Sequence, residues 1–457
     1  MSLYSCLRGV FTGVLLLVAC APAHPADSLA ATFRKALGTD PDYAAARATF
    51  EAETENRAIA RAGLLPSLSA GFEGDNVTHH RADLNAPQVS RDFRFTPRIN
   101  SLRLTQPLFD YARWAAWREG DARARRGEVV FADAGQDLAV RFASAYFNTL
   151  LSADNVELAG AQKRALTAQR VQAENLFKSG VATLTDVEQT KARLQLAEAQ
   201  ELAALNDLEL RRTEYAKIVG DAPPRPVAPL TVAPALVVPE PEDLSAWRDA
   251  ARARNLKVVA QQGAVAIAGF EIDRARAGFA PAVSLVASRV RSQESNYFSY
   301  WENTTNVGVQ VSMDLFSGGA TMAQTRQALA QRDKARRDLE SITRDADIKV
   351  SQAYRGIVSG IARVRALQQG VVSAEVTVRG MEVGQKAGLR TNTEVLNALQ
   401  DLYSVRRDLQ QARYEYLLNR VQLAALVGAA GESEFESLDR LLLSGSAQVT
   451  VVPTQQK

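Results

Sequence analysis

Residues 307–315 alternate without a fault. Val307, Val309, Val311, Met313 and Leu315 fall on one face, and Gly308, Gln310, Ser312 and Asp314 on the other. A strict period of two predicts a β-strand with one apolar face. Leu102 and Leu104, alternating with Arg103 and Thr105, give a shorter version. Most of the remaining chain follows a helical period. Val395, Leu402, Leu409, Tyr416 and Leu423 recur every seven residues, and Ala398, Val405, Ala412, Asn419 and Leu426 fill a companion seam. Asp401, Asp408 and Glu415 flank one side of that seam, and Arg406, Arg413 and Arg420 the other. A sustained heptad implies helices wound about each other with a left-handed twist.

These periods predict helices over 28–64, 110–178, 183–219, 244–278, 319–386 and 391–427. They predict strands over 67–77, 95–108, about 281–291 and 305–316. A polar loop holding His79, His80 and Pro87 would join the first two strands. The stretch 221–243 is dense in proline, which cannot continue a helix, and reads as a connector.

The pattern occurs twice. "SGVATLTDVE" (179–188) returns as "AGLRTNTEVL" (387–396), so Gly180 matches Gly388 at a separation of 208 residues. "AYFNTLL" (145–151) and "AYRGIVS" (353–359) keep the same separation, as do "KIVG" (217–220) and "ALVG" (425–428). Leu108-Phe109 returns as Leu315-Phe316, and Pro66 as Pro281. Ordered landmarks of this kind imply an internal duplication, with a unit too long for a solenoid repeat. The organisation expected is a segment 1–23 to be removed, a first repeat 28–220 (helix, two strands, long helix, Gly turn, helix), the connector 221–243, a second repeat 244–428, and a C-terminal segment 429–457.

Lengths give a shape. At 1.5 Å per residue a helix over 110–178 would be about 100 Å long. Helices 183–219 and 244–278 together match it, as 391–427 and 28–64 match 319–386. This predicts a tall cylinder in which one long helix runs beside two shorter ones stacked end to end. The Gly180 and Gly388 turns would lie at one end and the strands at the other, with the connector and the C-terminal segment near mid-height.

Composition narrows the class. Aromatic residues make up 7% of the chain and charged residues 23%, as in long coiled helices. A net charge of +3 is too balanced to imply nucleic acid. The N-terminus reads as a secretory signal: Arg8 precedes an apolar run over 10–19, too short to span a bilayer. Cleavage after Ala23 fits a small-residue site, while "LVAC" (17–20) fits a lipoprotein box that would lipidate Cys20. Either way the mature chain keeps at most one cysteine, so no internal disulfide is expected. Three histidines in the whole chain, two of them adjacent, offer no metal cluster. No nucleophile elbow or phosphate-binding glycine loop has the right context. No cofactor, metal or catalytic residue is expected, and the chain does not read as an enzyme.

The alternating strands suit a core sandwich as well as a lipid-facing sheet. The signal and the tall helical body favour a barrel in the outer membrane, its apolar side to lipid and its polar side to water. Tyr297, Phe298, Tyr300 and Trp301 stand where interfacial aromatics would. Four strands cannot close a barrel, and an open edge in lipid leaves backbone groups unpaired. Several copies must then share one barrel. The different-class alternative is a soluble periplasmic coiled-coil adaptor or structural protein.

The residues resemble the TolC-type outer-membrane channel, or outer-membrane efflux protein, family over about 28–440. The marks are "LLPSLS", "LTQPLFD", "AYFNTLL", "SGVATLTDV", "MDLFSGGAT", "AGLRTNTEVL", "ARYEYLLNRVQLAALVG" and the duplication. The resemblance implies a mainly α fold with a membrane β-barrel. Three chains would share a 12-stranded barrel, four strands each, above an α-helical tunnel through the periplasm. It implies export of proteins or small toxic molecules, joined through a periplasmic adaptor to an inner-membrane ABC or proton-driven transporter. It implies an iris at the hairpin tips, with Arg390 as gate arginine and Thr185 and Asp186 as its partners. Gln385 stands where the family has a tyrosine. Glu394 and Asn397 match an entrance ring of acidic residues, of which only Glu394 keeps the charge. The resemblance does not name the cargo.

Overall fold

In the computed structural model, residues 28–83, 86–220, 236–295 and 299–444 are described. Cys20, the signal segment, Tyr297, Phe298 and residues 221–235 of the connector lie outside them. Two helices dominate: α3 (Tyr111–Lys178, 68 residues) and α7 (Ala320–Lys386, 67 residues), each about 100 Å long. Shorter partners lie beside them: α2 (Pro41–Ala62), α4 (Leu184–Val219), α6 (Leu256–Arg276) and α8 (Asn392–Leu426). Near the strands, the wall runs α2, α3, α6, α7; toward the Gly turns it runs α4, α3, α8, α7. No described helix is long and apolar enough to cross a membrane.

Three expectations about the helices need correction. The segment 28–64 is two helices, α1 (Leu29–Thr39) and α2, and 244–278 is also two, α5 (Leu244–Arg254) and α6. The breaks fall at Asp40 and Asn255, whose extended backbone (ψ 120° in both) ends one helix while the side chain caps the next. Asp40 accepts from the Tyr43 N–H (2.8 Å), ahead of Pro41 at the first helical position, and Asn255 from the Lys257 and Val258 N–H groups. The stacking partners also differ from those expected. The end of α4 meets the α1–α2 junction, where the Thr39 hydroxyl donates to the Ile218 carbonyl (3.1 Å). The end of α8 meets the α5–α6 junction, where Asn255 Nδ2 donates to the Leu426 carbonyl (2.9 Å). Stacking is therefore within each repeat, α2 on α4 and α6 on α8. Gly220 and Gly428 close these joints with positive φ (78° and 72°), and a Cβ on Gly428 would press on the Arg254 carbonyl at 3.2 Å.

The main core sits at these joints. Phe33 of α1, Phe142 and Tyr146 of α3, Tyr215 of α4 and Tyr416 of α8 are buried together, along with Phe435 of α9 (Glu432–Ser444). The "AYFNTLL" and "ARYEYLL" stretches thus supply core aromatics. The Tyr416 hydroxyl donates to the Val237 carbonyl and accepts from its N–H, so the described end of the connector packs here too. Asp40 is fully buried beside Arg141 (2.9 Å). Burial pushes its carboxyl up, but the bonds from Arg141 and the Tyr43 N–H outweigh burial and hold it below the ordinary value.

The heptad seam of α8 is buried at Val395, Leu402, Leu409, Tyr416 and Leu423. Glycines on α7 make room for it: a Cβ on Gly356 would lie 2.9 Å from Asn419 Nδ2. A second buried face of α8, with Leu396, Leu399, Tyr414 and Leu417, escaped the heptad reading. It meets α3 and α4, where the Tyr414 hydroxyl donates to the buried Asp154 (2.8 Å).

Four strands form one antiparallel sheet in the order β1 (Ser67–Gly74), β4 (Arg98–Phe109), β5 (Ala282–Ser295), β6 (Ser299–Ser312). The expected polar loop is instead a separate hairpin, β2 (Val77–Asp83) and β3 (Ala86–Phe95). The chain therefore carries six described strands, four of them in the main sheet. The strand expected over 305–316 starts earlier and stops at Ser312, leaving Met313 and Leu315 beyond it. Ser312 pairs with Ala282, the first residue of β5 after Pro281, so nothing is left for 313–315 to pair with.

Candidate functional site

Two places could carry function: the sheet and the two hairpin tips. Directly opposed residues of an antiparallel sheet share a face. The register puts Leu68, Leu104, Ala287 and Val307 in one row, and Leu285 with Val309 and Val283 with Val311 in the next rows toward the helices. Val309 is 60% exposed and Val311 64%. The opposite face carries Ser67, Ser69, Ser101, Arg103, Thr105, Ser284, Gln310 and Ser312. An apolar face bare of protein lies back to back with a polar one. The sheet is open: among the described residues β1 and β6 each lack a partner on one side. Below it, the wall ends in α4 on one side, with Leu196, Leu202 and Leu210 exposed, and in α7 on the other, with Val358, Val372 and Val376 exposed.

The tips are built alike. At the first, Gly180 has φ 76°, and the Val181 N–H reaches back to the Leu176 carbonyl (2.9 Å). At the second, Gly388 has φ 71°, and the Leu389 N–H reaches the Gly384 carbonyl (2.8 Å). Both are six-to-one helix closures that favour glycine. Each following helix opens with a capping box, Thr183 with Asp186 and Thr391 with Glu394. The capping residues repeat the 208-residue spacing. Val181 and Leu389 stand 74% and 79% exposed at the turns.

The residues expected at the tips find the following partners. Arg390, just before the N-cap, pairs with Glu394 in the first turn of α8 (3.0 Å). The bonds from the Thr391 N–H and hydroxyl, with that of Arg390, hold the Glu394 carboxyl below its ordinary value. Asp186 accepts from the Thr183 hydroxyl (2.7 Å) and N–H (3.0 Å), so within one chain it does not meet Arg390. Thr185 is exposed on the first turn of α4. Gln385 donates to Asn392 Oδ1 (3.1 Å) and accepts from Gln172 (3.4 Å). Asn397 accepts from Arg193 (3.2 Å), which also bonds Gln400.

One residue was missed. Asn392 is buried, and its Nδ2 donates to the Thr190 hydroxyl (2.8 Å) and the Asp186 carbonyl (3.2 Å). With the Thr393 hydroxyl donating to Gln189 (2.9 Å), these bonds tie the start of α8 to the start of α4. The sequence held no seam signal for it: the two α8 seams, extended back by seven, land on Gly388 and Thr391. Among the described residues no group of three or more His, Cys, Asp or Glu could hold a metal ion.

The chain matches the model of the family described as "Outer membrane efflux protein" over residues 32–221 and 247–429, one segment per repeat. It is 34% identical to the alkaline protease secretion protein AprF of Pseudomonas aeruginosa over 427 residues, covering 90% of this chain and 87% of that protein. It is 32% identical to the proteases secretion protein PrtF of Dickeya chrysanthemi, covering 88% of each. Among solved structures, CusC, described as undergoing transmembrane channel formation, superimposes with a TM-score of 0.77 at 17% identity, covering 88% of this chain and 92% of that one.

Proposed function

The chain belongs to the outer membrane efflux protein family, and on that premise we propose that three copies form a channel that passes protein cargo out of the cell. The open sheet is the observation that carries this reading. Its apolar face faces lipid and its polar face lines a pore. In lipid the bare edges of β1 and β6 need partners. Head-to-tail pairing of β6 with β1 of the next copy satisfies both, and such a contact closes into a ring. The same operation sets the exposed leucines of α4 against the exposed valines of α7. With four strands from each of three chains the barrel has about twelve strands, within the known range. Membership of an outer-membrane family leaves no place for a soluble adaptor.

Protein cargo is favoured over small toxic molecules because the two relatives above 30% identity are both named for protease secretion. The channel would be fed by an inner-membrane ABC transporter through a periplasmic adaptor. The adaptor would dock at the tips, where Val181, Leu184 and Leu389 are exposed apolar residues on otherwise polar turns. The tips are the gate. Asn392 and Arg193 hold the two hairpins of a chain together, and Arg390 can exchange Glu394 for Asp186 of the partner subunit. Glu394 and Asn397 would ring the entrance.

Deleting the gene tests the cargo. The deletion strain should lose a secreted protein from the medium, and plasmid-borne wild type should restore it. Unchanged secretion together with new sensitivity to dyes and detergents would favour drug efflux instead.

A further inference from the structure

Three arginines lie on the apolar face of the sheet. Arg289 opposes Leu102 and Thr305 in the first row beyond Val307, and Arg291 opposes Asn100 and Asn303 in the row after it. Arg98 opposes Gln293, one row further from the helices, on the same face. Arg289 and Arg291 are about 7 Å apart along β5. Arg98 is the diagonal neighbour of Arg291 across the strands, at about 7–8 Å. All three side chains are exposed. No Asp or Glu occupies that face on any of the four strands, while Glu73 and Glu302 fall on the other face. Among the described residues Arg98 and Arg289 have no ion-pair partner, and Arg291 stacks on Trp301 at 4.3 Å. Arg98 is on β4 and Arg289 and Arg291 on β5, the two inner strands, so joining the sheet edges to other copies leaves the arginines uncovered.

We infer that these arginines bind the phosphates of a lipid in the outer leaflet. The inference rests on the reading that the apolar face meets lipid. The helices leave one end of the sheet, so the arginine rows lie at the far end, at the outer headgroup level. A charge beside apolar rows is costly unless an opposite charge meets it. Guanidinium forks match phosphate oxygens two at a time, and three in a triangle fit a headgroup with more than one phosphate. Trp301 holds Arg291 at the level where indole rings favour the interface.

The test titrates fluorescent bisphosphorylated lipid A into the detergent-purified oligomer. Arg98→Gln, Arg289→Gln and Arg291→Gln combined should weaken binding roughly a hundredfold, since each basic residue near an anionic surface contributes about a factor of five. Arg103→Gln, the same charge change on the polar face, should leave it unchanged. Dephosphorylated lipid should bind wild type as weakly as phosphorylated lipid binds the triple variant. If the triple variant does not fold, the single variants carry the test, each with about a fivefold loss. Unchanged binding in the triple variant, or in all three singles, overturns the proposal, as does equal binding of dephosphorylated lipid. Val309→Arg reads the underlying assignment separately. It should cut recovery in the outer membrane while Gln310→Arg does not. Equal recovery of the two would sink the lipid-facing reading itself; loss of Val309→Arg with unchanged lipid binding by the triple variant would sink only the arginine site.

Discussion

The belt where the helices join and the tips where they turn are made of opposite materials. The belt packs eight buried aromatic rings from five helices, and Phe33, Phe142 and Phe435 lie within 5.5 Å of one another, centroid to centroid. The tips hold small apolar clusters, Leu166 with Leu194 and Leu396 for one, and their ends are tied by amide and hydroxyl hydrogen bonds. Apolar burial is lost only by opening to water, whereas side-chain hydrogen bonds near a surface exchange with water at a small net cost. A belt of rings fixes the joints between stacked helices. A tip of polar ties loses little on opening, as the proposed gate requires.

Four substitutions would break or sharpen that contrast. Tyr416→Ala in the belt should have the largest effect, about 3–5 kcal/mol, because it empties a fully buried ring site and strips both bonds from Val237. Thermal dissociation of the purified oligomer checks it, and a shift no larger than a tip variant gives would erase the contrast.

Asp40→Asn comes next, at about 2 kcal/mol, since the buried cap loses its charge beside Arg141. Its sign with pH is fixed. The folded carboxyl sits below its unfolded value of about 3.9, so its contribution is complete above that pH and fades as the pH falls toward the folded value. Wild type and Asp40→Asn should therefore differ most near neutrality and converge in acid denaturation. A gap that widens in acid would contradict the assignment.

Asn392→Ala should cost about 1–2 kcal/mol locally. Hydrogen exchange should quicken at 184–192 and 385–395, while amides of the belt keep their protection. Arg390→Ala is the smallest: its ion pair is exposed and solvent-screened, so the melting temperature should not move.

The sequence reveals whatever is local and periodic. The Gly turns, the α8 seam and the alternation at 307–311 each follow from residues that are near neighbours in the chain. The break at Asp40 had a local signal in Pro41, but at Asn255 helical spacing runs across the joint, and an asparagine N-cap is a weaker local stop than a proline. In the β2–β3 hairpin only Phe93 and Phe95 alternate, with Asp92 and Arg94, a run too short to announce two strands. Stacking partners were not legible because helix lengths alone fit either pairing. At the tips, Asn392 and Thr190 are 202 residues apart, and no local pattern names such a contact.

Single-channel conductance in planar bilayers tests the central claim most directly. If the tips are the proposed gate, the wild-type oligomer should conduct weakly. Asn392→Ala combined with Arg193→Ala, which cuts the ties while sparing the belt, should raise conductance several-fold with the oligomer intact. An unchanged conductance in that intact variant would contradict the account: these bonds would then be ordinary helix contacts, and the tips would not be the gate.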